Sequence, residues 1–185
     1  MKEYFHCFIH WPICKEQHWG LAMRLHDLAG NLAVPFSKSA SKMADTLRVI
    51  AEQRAEFRQV GSGPGSAIEA DPSKAGFLII ALALDPVRRE IVRKTLLTAS
   101  LTATGGACCL TNAPDFGSAL FGILADEDLA CRVDGVSLSD NRAVIAFDGS
   151  QESVFGAGPA IPERVSRTVV LDGLLLQGVA QLLKR

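Results

Sequence analysis

The sequence has almost no excess charge. Its 19 Lys and Arg stand against 20 Asp and Glu, a net charge of −1 with the His neutral. That balance excludes bulk electrostatic capture of nucleic acid, which needs a basic excess or stripe to neutralise phosphates. Long apolar runs are absent too. The longest, residues 77–84, falls well short of the roughly 18 residues a membrane span requires, so no transmembrane segment is expected. Cysteine is sparse and odd in number: Cys7, Cys14, Cys108, Cys109 and Cys131 cannot make a disulfide scaffold of a 185-residue chain. No secretory leader is expected either, because Glu3, His6 and His10 interrupt any apolar run in the N-terminal segment. The expected location is therefore cytoplasmic, with reduced thiols.

What is present is apolar bulk. Hydrophobic residues make up 48 % of the chain, charged residues 21 %, and the mean hydropathy is +0.20. This excludes intrinsic disorder and suffices for one domain with a substantial core.

Alternation predicts a strand over residues 4–11, ended by Pro12. Helical spacing of Leu21, Leu25 and Leu28 predicts a helix over 15–29, stopped at Gly30 and Asn31. A second helix is expected over 41–59, with Met43, Leu47, Ile50 and Phe57 inward. Residues 61–66, Gly-Ser-Gly-Pro-Gly-Ser, read as a linker and the main internal boundary. The apolar run 77–84 fits a buried helix or a buried strand by period alone. Asp71-Pro72 and Asp85-Pro86 resemble capped helix starts and favour helices over 72–83 and 86–103. A further helix opens after Asn112-Ala113-Pro114-Asp115. A hairpin is expected over 136–147, then a loop over 151–162 and a C-terminal helix over 163–185. That last helix is apolar around most of its circumference, so it must be buried in its own core or against a partner.

The expected fold is thus α+β. It is a mainly helical single domain with a small β-hairpin and an N-terminal strand. Residues 1–60 hold the N-terminal strand and helices, and 61–66 form the Gly-rich linker. Residues 67–185 hold the helical core, the hairpin 136–147 and the terminal helix 163–185. Charge is uneven: residues 111–160 carry 8 acidic against 2 basic side chains. Such a block attracts a basic partner surface or simply solubilises the chain.

All four His lie in the first 26 residues, and Cys7, His10, Cys14 and His18 together supply thiolates and imidazoles, the donors zinc accepts. The spacing argues against a closed tetrahedron. Only three residues separate His10 from Cys14, and a strand sends Cys7 and His10 to opposite faces. No cofactor is otherwise called for, and zinc is the metal this cluster would take.

Other candidates are thinner. Gly61, Gly63 and Gly65 resemble a fragment of a phosphate loop without its Lys-Ser/Thr. Cys108 or Cys109 after Gly105-Gly106 could be a nucleophile, but no His lies near in sequence. Asp126, Glu127, Asp128 and Asp134 match no calcium-loop spacing. Arg88, Arg89, Arg93 and Lys94 make a small basic patch, more often a solvated face than a site. Three helices before a hairpin also admit a winged-helix reading. Its recognition helix, residues 116–124, would then be apolar where Arg, Lys, Asn or Gln are needed.

One stretch resembles a family. Residues 76–93, Gly-Phe-Leu-Ile-Ile-Ala-Leu-Ala-Leu-Asp-Pro-Val-Arg-Arg-Glu-Ile-Val-Arg, run an apolar helix into an Arg-Arg-x-Ile-x-Arg helix. This is similar to the middle of the cytosolic sorting-platform accessory proteins of type III secretion (the SctK/YscK type). Residues 116–136, the apolar C-terminal helix and the N-terminal segment with Pro12 and His18-Trp19 fall in a similar order. The hairpin and the Gly-rich linker depart from that pattern. The resemblance implies a non-enzymatic adaptor bound to other machinery proteins.

The expected function is a cytoplasmic, non-catalytic adaptor or interaction protein, with a protein partner or a second copy held through the C-terminal helix. The alternatives are a metal- or thiol-dependent enzyme or sensor using the N-terminal His/Cys cluster, and a winged-helix DNA-binding regulator.

Overall fold

A computed structural model describes residues 23–59, 67–139, 141–156 and 168–184. The expected strand 4–11, the cluster Cys7, His10, Cys14 and His18, and the linker 61–66 lie outside the described residues.

The centre of the fold is α3 (Pro72–Leu84). Residues 75–83 are buried without interruption, which is why their period could not tell helix from strand. The start signal decides. Asp71 accepts a hydrogen bond from the Lys74 amide at 2.8 Å, and Pro72 occupies the first helical position, where its missing N–H costs nothing. Around α3 pack α1 (Leu25–Ala33), α2 (Ala40–Gln53), α4 (Ile91–Ala99) and α5 (Phe116–Ala125). Side chains on both sides of 61–66 share one hydrophobic core, including Leu28, Leu32 and Ile50 with Leu78, Ile79 and Leu120.

Several predicted bounds move. Gly30 does not stop α1, which continues to Ala33. The helix expected over 41–59 ends at Gln53 and is followed by a 3-10 turn, Ala55–Phe57. The helix expected over 86–103 is a 3-10 turn (Arg88–Glu90) and the shorter α4. The helix α5 begins where expected, with Asp115 accepting from the Ser118 amide. It is followed by α6 (Glu127–Arg132), capped by Asp126.

The sheet is larger than the predicted hairpin. Strands β1 (Val133–Ser139) and β2 (Arg142–Phe147) form that hairpin, and β3 (Gln151–Gly156) and β4 (Val169–Asp172) extend it. The order is β3-β2-β1-β4, antiparallel throughout. The segment expected as a loop from 151 is thus a strand as far as Gly156. Of the helix expected over 163–185, the described part is β4 followed by the shorter α7 (Gly173–Leu183). The inner sheet face, with Val136, Leu138, Ile145, Phe147, Phe155 and Leu171, closes on the helices. Phe116 of α5 meets Phe155 edge-on, ring centroids 5.5 Å apart. The outer edge of β3 is covered by residues 102–104: the Thr104 amide donates to Val154 O and the Gly156 amide to Thr102 O. This is a mixed α+β single domain. No helix among the described residues is long and apolar enough to cross a membrane.

Candidate interaction surface and the buried thiol

The helix α4 buries Ile91, Val92, Thr95 and Thr98, the i, i+4, i+7 face of a helix laid on α3. Its opposite face should then be polar, and half of it is. Arg93 is exposed, and so are Leu96 (41 %) and Leu97 (53 %). Arg89 in the preceding turn continues the same stripe, and beside it Val87 is 60 % exposed.

Next to this stripe a cleft of about 410 Å³ opens between α2 and the 88–90 turn, lined by Val49, Glu52, Gln53, Val87, Arg88 and Arg89. Its charges are ordered from within. Asp45 binds Arg48 at 2.6 Å and lies 3.8 Å from Arg88, while Glu52 lies 3.6 Å from Arg48 and 3.9 Å from Arg88. The hydrogen bond from Arg48 holds the Asp45 carboxyl below its usual range, and the charge of Arg88 adds to it. Arg93 does the same for Glu90 across 2.8 Å. Among the described residues no carboxylate lies within ion-pair distance of Arg89. The basic patch of the sequence is therefore divided: Arg88 and Arg93 are paired, and Arg89 stands over the cleft.

The second candidate is a thiol. Cys108 lies 3.5 Å from Ser153 Oγ, and the Cys109 amide donates to that same oxygen at 2.9 Å. Burial alone would push the Cys108 thiol up. Hydrogen bonding from Ser153, the Thr111 hydroxyl and the amides of Thr111 and Leu110 outweighs it and holds the thiol below its ordinary range. The sulfur is nevertheless closed off, since Cys108 is 2 % exposed. A reactive cysteine needs access as well as thiolate character, so this sulfur anchors the 108–113 turn onto β3. Cys109 is exposed, and His26, the histidine among the described residues, stands exposed on α1 beside Asp27. Sequence reasoning missed Ser153 because the segment from 151 was read as a loop. Its alternation with Phe155 was the available signal.

Three of the four acidic candidates take structural roles. Asp126 caps α6, Asp134 accepts from the Gly149 amide at 2.7 Å, and Glu127 binds Lys184 at 3.2 Å. Among the described residues no group of three or more His, Cys, Asp or Glu is placed to hold a metal. Residues 116–124, the would-be recognition helix, are largely core: Phe116, Gly117, Ala119, Leu120, Ile123 and Leu124 are buried. They present no polar face to a groove. Comparison of the chain with protein-family models, with curated proteins and with solved structures gives no match.

Proposed function

We propose that this protein is a non-catalytic adaptor of the cytoplasm, which binds a protein partner through the outer face of α4. The observation that carries this reading is the joint exposure of Val87, Leu96 and Leu97 beside an open cleft. Single exposed leucines are ordinary, but an apolar group flanked by a cleft and a cation is how docking surfaces are built. Burying a leucine on a partner is worth about 1.5–3 kcal/mol before the costs of association. The resemblance of residues 76–93 to sorting-platform accessory proteins points the same way, toward an accessory component of a secretion machinery.

The sequence alone points to the C-terminal helix as the binding surface. Its apolar side, Leu175, Leu176, Val179 and Ala180, is instead used by the fold's own core, and Leu174 is left exposed. We therefore place the docking surface on α4. The test is co-purification from the native host with wild type, a Leu96→Asp/Leu97→Asp variant, and a Val34→Asp control on the exposed end of α1. A partner kept by wild type and control and lost by the α4 variant supports the reading. Identical partners for all three, with the α4 variant folded, sink it.

A further inference from the structure

We infer that the α4 face takes an acidic amphipathic helix of a partner protein; this rests on the interaction reading above and adds the chemistry of what is bound. Arg89 of the 88–90 turn and Arg93, Leu96 and Leu97 of α4 are all exposed, and α4 carries its three over about 6 Å, a little more than one turn of helix. The stripe is cationic at its N-terminal end and apolar at its C-terminal end. A helix laid along it must put a carboxylate at one end and apolar side chains at the other.

The charges select the sign. Glu90, Asp45 and Glu52 are already held by Arg93, Arg48 and Arg88, so they offer little to an incoming cation. Arg89 lines the cleft without a carboxylate of its own among the described residues, and its planar fork suits two carboxylate oxygens at once. Beneath it the cleft exposes Val87 over the buried Val49, so the site next to the cation can accept an apolar side chain.

An anionic membrane would also meet cations and leucines. The charge count disfavours it. Surface attraction of about 1 kcal/mol per basic residue needs several uncompensated cations. Here Arg88 and Arg93 are spent on carboxylates.

The test pans a phage-displayed library of random peptides, roughly 14 residues or about four helical turns long, against the intact chain. Enriched sequences are synthesised and titrated by fluorescence anisotropy. We expect acid-rich amphipathic sequences, weakened at least about tenfold by Leu97→Asp and about threefold by Arg89→Ala. The control variant Val34→Asp should bind as wild type does. Peptides that lose binding with Leu97→Asp but carry no acidic excess would overturn this inference and leave the adaptor reading intact. Peptides indifferent to Leu97→Asp, or no enrichment at all, would overturn both. Sedimentation of the chain with phosphatidylserine-containing vesicles, abolished by Leu97→Asp, would replace the acidic helix with a lipid surface.

Discussion

Asp85, in the left-handed conformation at the end of α3 with φ of 41°, binds the ammonium of Lys38 from the turn after α1. Lys42 of α2 approaches the same carboxylate at 3.5 Å. One side chain thereby ties the first two helices to the junction of α3 with the 88–90 turn, and so fixes one wall of the cleft.

Replacing Asp85 with Ala should destabilise the fold by about 2 kcal/mol, through loss of the charge-assisted bonds and of a side chain type that tolerates left-handed backbone better than Ala does. Asp85→Asn should cost less, since Asn tolerates that backbone. Urea unfolding curves for the two variants check the order. The same pair sets a pH dependence. Burial would raise the Asp85 carboxyl, but Lys38 and Lys42 outweigh it and hold it below the ordinary range. Its contribution is thus complete above the unfolded carboxylate pKa, near 4. It is lost as pH falls through the lower folded value, a loss that Asp85→Asn should abolish.

Gly173 opens α7 directly after β4, where a Cβ would stand 1.8 Å from the carbonyl oxygen of Val133. Backbone cannot yield as a side-chain tip can. Gly173→Ala should cost about 3 kcal/mol or more, or prevent folding. Gly30 sits inside α1 with open space where its Cβ would be. Gly30→Ala should stabilise the protein by about 0.5–1 kcal/mol, because Ala is the better helix former. Thermal melts of the pair would show shifts of opposite sign.

The thiols should separate by accessibility. Brief alkylation of the native protein, mapped by mass spectrometry, should label Cys109 and Cys131 and leave Cys108 protected at least about tenfold. Ser153→Ala removes the acceptor of the Cys109 amide and a hydrogen bond to the Cys108 sulfur. It should raise the Cys108 thiol pKa and cost about 1–2 kcal/mol. Rapid labelling of Cys108 in the wild type would contradict the closed turn.

Ile79 is fully buried in α3, the helix on which α1, α2, α4 and α5 pack. Ile79→Ala should cost about 3–4 kcal/mol, as large-to-small changes in a closed core do. An unfolding midpoint within error of wild type would place this helix at the periphery instead.

Local chemistry was readable along the chain. Asp71-Pro72 and Asp115 announced the starts of α3 and α5, and the β-branched flanks around 140–141 announced the hairpin, because caps and turns depend on neighbours within a few residues. The two outer strands were not readable. β3 owes its existence to pairing with β2 and to the 102–104 segment on its far edge, and β4 to pairing with β1 across more than thirty residues of chain.

The sequence by itself determined that this chain folds into one mixed domain, because apolar content, capping signals and charge balance are sums over composition and near neighbours. Which apolar residues go inside was settled by the tertiary structure. Leu96 and Leu97 look no different from Leu175 and Leu176 in the sequence, yet the first pair faces outward and the second closes the core. The difference lies in which side of each helix its neighbours cover: α5, α6 and β1 cover the side of α7 that carries Leu175 and Leu176, whereas α3, α2 and α5 cover the side of α4 that carries Ile91, Val92, Thr95 and Thr98.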